Sequence, residues 1–345
     1  MSSTKPTVSS NTISMPKILI TGASGFVGSW LVKEAISRGL DVYAGIRASS
    51  SKALLRDSKI NFSIIDFDDD LALAELLKSE QFDYIIHNAG VTRAQHDADY
   101  FRVNVDYTVK LAQLAQKEIG DKLKKFVFIS SIEAYGSADG TPEGVIDNNI
   151  EPSPRTTYGL SKLKAEKELI TVKGLPLIVL RPTAVFGPGE RDLFAFWQTV
   201  KRFKVTPIVG NKTIKYTFVY VKDLVHVVLD AVLSDIKDKS YFVSDGRIHK
   251  MQAYLDNIAS SLGIRPLSFV IPYLALDAAS AVTGLFDKIT GKKSLLNAEQ
   301  IAKAKAQNWD CDISDLVQDF GYQSQHSLKE AVEETTQWYL QEGWL

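Results

Sequence analysis

The stretch Lys17-Ile-Leu-Ile-Thr-Gly-Ala-Ser-Gly-Phe-Val-Gly28 constrains this chain more than any other. Lys17–Thr21 is a short apolar run that stops at Gly22, the pattern of a parallel strand buried on both faces. Gly22, Gly25 and Gly28 recur every third residue, and Ser29–Arg38 follows with helical spacing before Gly39 ends it. Strand, glycine turn and helix in this order make a dinucleotide site. Gly22 permits the tight turn, Gly25 lets a pyrophosphate reach the backbone, and Gly28 lets the helix pack close to the strand. The helix then aims its positive end at the phosphates. A glycine-rich turn without a ligand is the alternative.

Apolar strands then alternate with helical patterns. Strands are expected at Asp41–Ile46, Asn61–Ile65, Asp83–His87, Lys125–Ser130 and Pro176–Arg181, with a seventh at Ser240–Ser244. Helical patterns cover Leu71–Lys78, Asp99–Ile119 and Thr157–Val172. This alternation predicts an α/β fold: a Rossmann-type, doubly wound parallel sheet of about seven strands. Past Pro182 the rhythm changes to mostly helical segments (Asp192–Lys201, Leu224–Leu233, Met251–Leu262, Tyr273–Ile289, Asn297–Ala306, Leu328–Leu340). The expected organisation is a disordered tail over 1–14, a dinucleotide-binding domain over 15–183 and a substrate lobe over 184–345. Segment 219–245 should return to the main sheet.

At 345 residues, with 45% hydrophobic and 23% charged residues and a net charge of −1, the chain suits a soluble globular protein. It has no basic field for nucleic acid and no polybasic membrane patch. Its one cysteine, Cys311, cannot form an internal disulfide, so a cytoplasmic, reducing setting is expected. The polar first fourteen residues lack an apolar core and do not read as a signal peptide, and Met15 offers an alternative start. Leu267–Phe286 is apolar but interrupted by Pro272, Tyr273 and Asp277, so an amphipathic helix is expected there, not a membrane span. The five histidines lack ligand spacing, and no metal site is expected.

Tyr158-Gly-Leu-Ser-Lys162 opens a helical segment, and at i and i+4 the two side chains share one face. A phenol with a pKa near 10 is a poor base at neutral pH, and bringing it to about 7 requires roughly 4 kcal/mol. A lysine ammonium together with an oxidised nicotinamide can supply that. Among 13 tyrosines one such spacing arises by chance, but only Tyr158 carries it. Upstream, Ser131 follows the strand that ends at Ser130. Its hydroxyl can reach a substrate oxygen that Tyr158 also holds, although Ser-Ser after a strand is commonly turn chemistry.

Taken together, Thr-Gly22-Ala-Ser-Gly25-Phe-Val-Gly28, Asn88-Ala-Gly90, Asn104, Ser130-Ser131-Ile-Glu-Ala-Tyr-Gly136 and Tyr158-x-x-x-Lys162 resemble the extended short-chain dehydrogenase/reductase superfamily. Arg181-Pro-Thr-Ala-Val-Phe-Gly-Pro188 and Val219-Tyr-Val-Lys-Asp223 fit the same pattern, that of the NAD-dependent epimerase/dehydratase family. The resemblance implies that Ser131 orients substrate, Tyr158 exchanges the proton, and Lys162 holds the nicotinamide ribose and lowers the tyrosine pKa. Asn104 steadies the backbone or a relay water. It also implies cofactor contacts from Gly22, Ser24, Gly25, Phe26, Val27 and Gly28, from Asp66 and Phe67 beside the adenine, and from Ala89 and Gly90. Ser130, Thr183 and Val185 complete the set near the nicotinamide. Dimerisation through Asp99–Ile119 and Thr157–Val172 is a further implication.

NAD-selective relatives end the second strand with an acid. Here the strand ends Ala44-Gly45-Ile46-Arg47, and a guanidinium binds a 2′-phosphate that a carboxylate repels. NADP(H) is therefore expected, with NAD(H) the alternative if Arg47 only stacks on adenine. Three departures bear on the reaction. Ile132-Glu133 replaces the Asp-Glu pair of dehydratases, Ala184 replaces an asparagine usual in sugar-nucleotide epimerases, and the NAD pattern is missing. The apolar Leu267–Phe286 and the ending Trp338–Leu345 resemble the 3β-hydroxysteroid dehydrogenase and dihydroflavonol reductase branch. The expected activity is thus interconversion of a secondary alcohol and a ketone on an apolar small molecule. A nucleotide-sugar epimerase, for which Arg191 could bind a diphosphate, is the alternative, and a catalytically silent regulator is the third reading.

Overall fold

The computed structural model describes residues 15–57, 59–139, 141, 143–210, 214–275, 277, 305, 306 and 308–345. The tail 1–14 and most of the helices expected at Tyr273–Ile289 and Asn297–Ala306 lie outside the described residues.

Strands β1 (Lys17–Thr21), β2 (Asp41–Ile46), β3 (Ile60–Ile64), β4 (Tyr84–His87), β5 (Lys125–Ile129) and β6 (Leu177–Pro182) fall close to their expected positions. Short strands β7 (Ala184–Phe186), β8 (Val205–Val209), β9 (Lys215–Tyr216) and β10 (Phe218–Tyr220) follow, and β11 (Lys239–Val243) returns beside β6. The result is one seven-stranded parallel sheet in the order β11-β6-β5-β4-β1-β2-β3. Ile18, Leu19 and Ile20 are fully buried because both faces are covered, which is why the strand reads as an unbroken apolar run. Strand order reverses between β1 and β4, so their carboxyl ends diverge and leave a crevice.

One face is covered by α1 (Phe26–Ser37), and the other by α2 (Asp70–Glu80), α4 (Tyr107–Glu118) and α5 (Thr157–Ile170). The helix expected over Asp99–Ile119 is not continuous. Between α3 (Asp97–Phe101) and α4, residues Arg102–Asp106 form a π-helical turn. The wider turn places Asn104 against the backbone of Val91, to which it donates and from which it accepts.

The C-terminal part contains α6 (Phe194–Phe203), α7 (Val221–Leu233), α8 (Met251–Ser261), α9 (Ser314–Phe320) and α10 (Leu328–Gln341). Three two-stranded sheets, unforeseen from the pattern, join β7 to β10, β9 to β12 (His249–Lys250) and β8 to β13 (Leu267–Ile271). The described start of the apolar segment Leu267–Phe286 is therefore a strand, not a helix. One edge of its backbone pairs with β8. Among the described residues no helix is long and apolar enough to cross a membrane.

Aromatic packing builds the lobe. Trp197 lies edge-on to Tyr254 and Tyr339 at 5.8 and 5.3 Å, and its Nε1 donates to Thr336 Oγ1 at 2.7 Å. Replacing Trp197 by Ala should lower the unfolding free energy by about 3–5 kcal/mol, read from the urea midpoint. An unchanged midpoint would show that this ring carries no packing load.

Candidate active site

The glycine turn folds back on itself so tightly that side chains are excluded. Gly22 has φ +66°, and a Cβ there would stand 2.8 Å from Ala89 Cα; one on Gly28 would stand 2.1 Å from the Gly22 carbonyl oxygen. This backbone-walled cradle at the start of α1 fits the phosphates of a dinucleotide. Ser24 is half-buried and Gly25 exposed within it.

Behind the turn runs a chain of hydrogen bonds whose direction can be deduced. Thr108 Oγ1 donates to the Asn104 carbonyl at 2.8 Å, so it accepts from His87 Nε2 at 2.9 Å. His87 Nδ1 is left to accept from Thr21 Oγ1 at 2.8 Å, whose oxygen accepts the Ala89 N–H at 3.2 Å. His87 is fully buried, and burial pushes its pKa down to about 3, so it stays neutral. Asn104 also donates to Ser161 Oγ at 2.9 Å. The loop Ala89–Val91 is thereby fixed from below. Asn104 is legible in the sequence by motif, whereas the role of His87 depends on Thr21 and Thr108, partners distant in the chain.

Between the carboxyl ends of the strands and the lobe lies a cavity of about 520 Å³. Phe26, Val27, Gly90, Ser130, Ser131, Tyr158, Lys162, Thr183 and Val185 are among the residues that line it. Nine of the residues expected from sequence meet there. Thr183 Oγ1 is buried and without a hydrogen-bond partner among the described residues, a donor and acceptor open to a polar ligand. Arg47 and Asp66 are exposed, at the carboxyl ends of β2 and β3, and do not line this cavity; Phe67 is half-buried and stacks on Tyr107 at 5.1 Å.

Ser131 caps a 3₁₀ turn, its Oγ accepting the Glu133 N–H at 3.2 Å, and it hydrogen-bonds the Tyr158 side chain. Lys162, one turn along α5, donates to the Ile129 carbonyl at 2.8 Å and lies 4.6 Å from the Phe128 ring centre. Burial pushes its pKa down to about 8. The Tyr158 phenol is held well above its ordinary range, first by burial and then by the Glu133 carboxylate, with the Ser131 hydrogen bond acting the other way. The protein's own groups therefore do not acidify the phenol; the expectation couples Lys162 with an oxidised nicotinamide. The ammonium is turned to Ile129, and the carboxylates of Glu133 and Asp192 raise the phenol.

Two further carboxylates escaped the sequence reading. Glu166 lies on α5 four residues past Lys162, which puts it on the face that carries Tyr158 and Lys162, and that spacing is the signal for it in the sequence. It receives Arg181 Nη2 at 2.7 Å and the hydroxyl of Ser130, while Arg181 reaches Asn148 Oδ1 at 2.7 Å and stacks on Tyr135 at 4.4 Å. Both side chains are buried, and the pair ties α5 to β5 and β6. Glu190 accepts N–H bonds from Asp192, Leu193 and Phe194, holding the loop before α6. Arg191, the diphosphate candidate, turns instead onto Trp344 at 5.2 Å and is not part of the cavity wall.

A dinucleotide-binding α/β fold with serine, tyrosine and lysine at its crevice defines the class of nicotinamide-dependent short-chain dehydrogenase/reductase folds. A model of the NAD dependent epimerase/dehydratase family matches residues 18–243, and the chain belongs to that family. It is 27% identical over 343 residues to a UDP-glucose 4-epimerase of Vibrio cholerae, covering 95% of this chain and 97% of the relative. It is 23% identical over 337 residues to a ceramide reductase of Caulobacter vibrioides, covering 95% and 96%. Its fold matches the Bordetella bronchiseptica enzyme WbmG in complex with NAD and UDP, with a TM-score of 0.76, 19% identity and 96% of each chain covered.

Burial pushes the Glu190 pKa up to about 7 against the pull of its three N–H donors. The native state then binds this proton more tightly than the unfolded chain does. Stability must fall as pH rises from the ordinary carboxylate range to about 7, by at most about 1.4 kcal/mol per pH unit. Glu190→Gln should remove that slope in urea unfolding followed across this range; a slope that persists would assign it to another group.

Proposed function

We propose that the chain is a nicotinamide-dependent enzyme that oxidises and re-reduces a secondary alcohol of a nucleotide sugar, an epimerase-type reaction. The observation that carries the chemistry is the Tyr158–Ser131 hydrogen bond in a cavity shared with Lys162. The substrate class rests on the likeness to the UDP-glucose 4-epimerase along nearly the whole of both chains. This favours the sugar over the apolar ketone expected from the C-terminal third. Elimination of water is disfavoured because Ile132 occupies the position of the first acid.

When bound, a nicotinamide dinucleotide supplies the hydride acceptor and donor. Ser131 holds the reacting oxygen, and Tyr158 takes its proton and returns it. In the protein alone the phenol is neutral, so it is set to donate; accepting a proton requires cationic charge beside it. Lys162, on the same helix face, can bring that charge only by turning from the Ile129 carbonyl, and Gly90 and Asn104 keep its surroundings open and fixed. A cofactor with a 2′-phosphate would meet Arg47 at the end of β2, and NADP(H) remains our preferred cofactor on that residue. The WbmG complex contains NAD, which keeps NAD(H) as the alternative.

A second reading, reduction of an apolar ketone, is favoured by Ala184, Val185, Leu193 and Phe196 on the cavity wall and by the ceramide reductase likeness. Incubation with UDP-glucose and with hydrophobic ketones separates the two. Inversion of the sugar without net change in nicotinamide absorbance supports epimerisation, whereas net NADPH consumption with ketones overturns it. Tyr158→Phe should lower turnover about 10²–10⁴-fold with cofactor affinity nearly unchanged; full activity would refute the proton role. Arg47→Asp should move cofactor preference from NADP toward NAD, and an unmoved preference would refute the phosphate assignment.

A further inference from the structure

Over the mouth of the cavity, Arg93 Nη2 meets Asp192 Oδ1 at 2.9 Å, joining the loop after β4 to the loop before α6. Both residues line the cavity, and their side chains are 57% and 53% exposed. The pair is not needed to hold the Asp192 loop, which is anchored underneath. Trp30 Nε1 donates to the Pro188 carbonyl at 2.9 Å, Tyr339 donates to the Glu190 carbonyl at 2.7 Å, and the Glu190 carboxylate takes the Leu193 N–H at 2.7 Å. An ion pair this exposed adds little stability.

The charges around the cavity make this pair the point where an anion would be felt. Glu133, Glu190 and Asp192 contribute carboxylates to the wall, Lys162 is committed to the Ile129 carbonyl, and Arg191 faces Trp344. Arg93 is the one guanidinium among the described lining residues. Its planar fork suits two phosphate oxygens better than the single carboxylate oxygen it meets now.

We propose that Arg93 receives the diphosphate of the substrate and that Asp192 is the partner it gives up, so that this exchange selects anionic over neutral substrates. The inference rests on the nucleotide-sugar reading and assigns that site its phosphate receptor. The guanidinium changes acceptors, no covalent bond is made, and the released carboxylate turns to solvent.

Calorimetric titration of UDP into the protein saturated with NADP or, where that does not bind, NAD tests the exchange. Arg93→Ala should weaken UDP binding roughly ten- to hundredfold. Asp192→Asn should tighten it, because the competing carboxylate is gone, and added salt should weaken binding to the wild type more than to Arg93→Ala. A merely structural pair would give both variants the same loss. Equal UDP affinity in Arg93→Ala and wild type, or weakened binding in Asp192→Asn, overturns the proposal while leaving the nucleotide-sugar reading intact. Failure of the wild type to bind UDP overturns that reading and this one with it. If Arg93→Ala does not fold, shown by its thermal midpoint and cofactor affinity, the sign of the Asp192→Asn effect decides alone.

Discussion

The contact on which the rest of this structure depends is backbone against backbone. The Gly22 turn lies so close to Ala89 that neither residue type nor backbone path has freedom there. Closure at this point sets β1 against β4 where the strand order reverses, and so creates the crevice. The chain Ala89–Thr21–His87–Thr108–Asn104 then holds the loop from beneath with every proton accounted for. Such a network is rigid because each member is satisfied, and a buried polar group left unsatisfied would be costly.

Charge inside the cavity follows two regimes. Tyr158, Lys162 and Glu190 are each driven toward their neutral forms by burial. Arg181 and Glu166, just beneath, are paired at 2.7 Å, with the guanidinium stacked on the Tyr135 ring. The Arg181–Glu166 pair holds α5 in place, while Tyr158, Lys162 and Glu190 face the cavity. A ligand that brings charge into this space acts on groups already far from their aqueous behaviour.

Local signals made much of this legible in the sequence. The glycine spacing after an apolar run placed the turn, strand alternation placed the seven-stranded sheet, and the i, i+4 rule put Tyr158 and Lys162 on one face. What stayed hidden depends on partners distant in the chain. The π turn at Arg102–Asp106 exists where Asn104 meets Val91, and helical periodicity cannot register it. Leu267–Ile271 is too short and apolar to tell strand from helix without its partner β8. The neighbours of Arg191 in sequence suit a phosphate site, whereas Trp344 claims it in space. Helix spacing puts Lys162 on the face of Tyr158, but the acceptor its ammonium takes, the Ile129 carbonyl, lies on β5, 33 residues away in the chain.

The central claim is that the glycine cradle and the cavity below it seat a nicotinamide dinucleotide. Fluorescence titration of the purified protein with NADPH and NADH, beside a Gly22→Val variant, tests it most directly. The account predicts saturable binding of one nucleotide per chain that is lost in Gly22→Val, where the added side chain would strike Ala89. Absence of binding by the wild type, or undiminished binding by the variant, would contradict it.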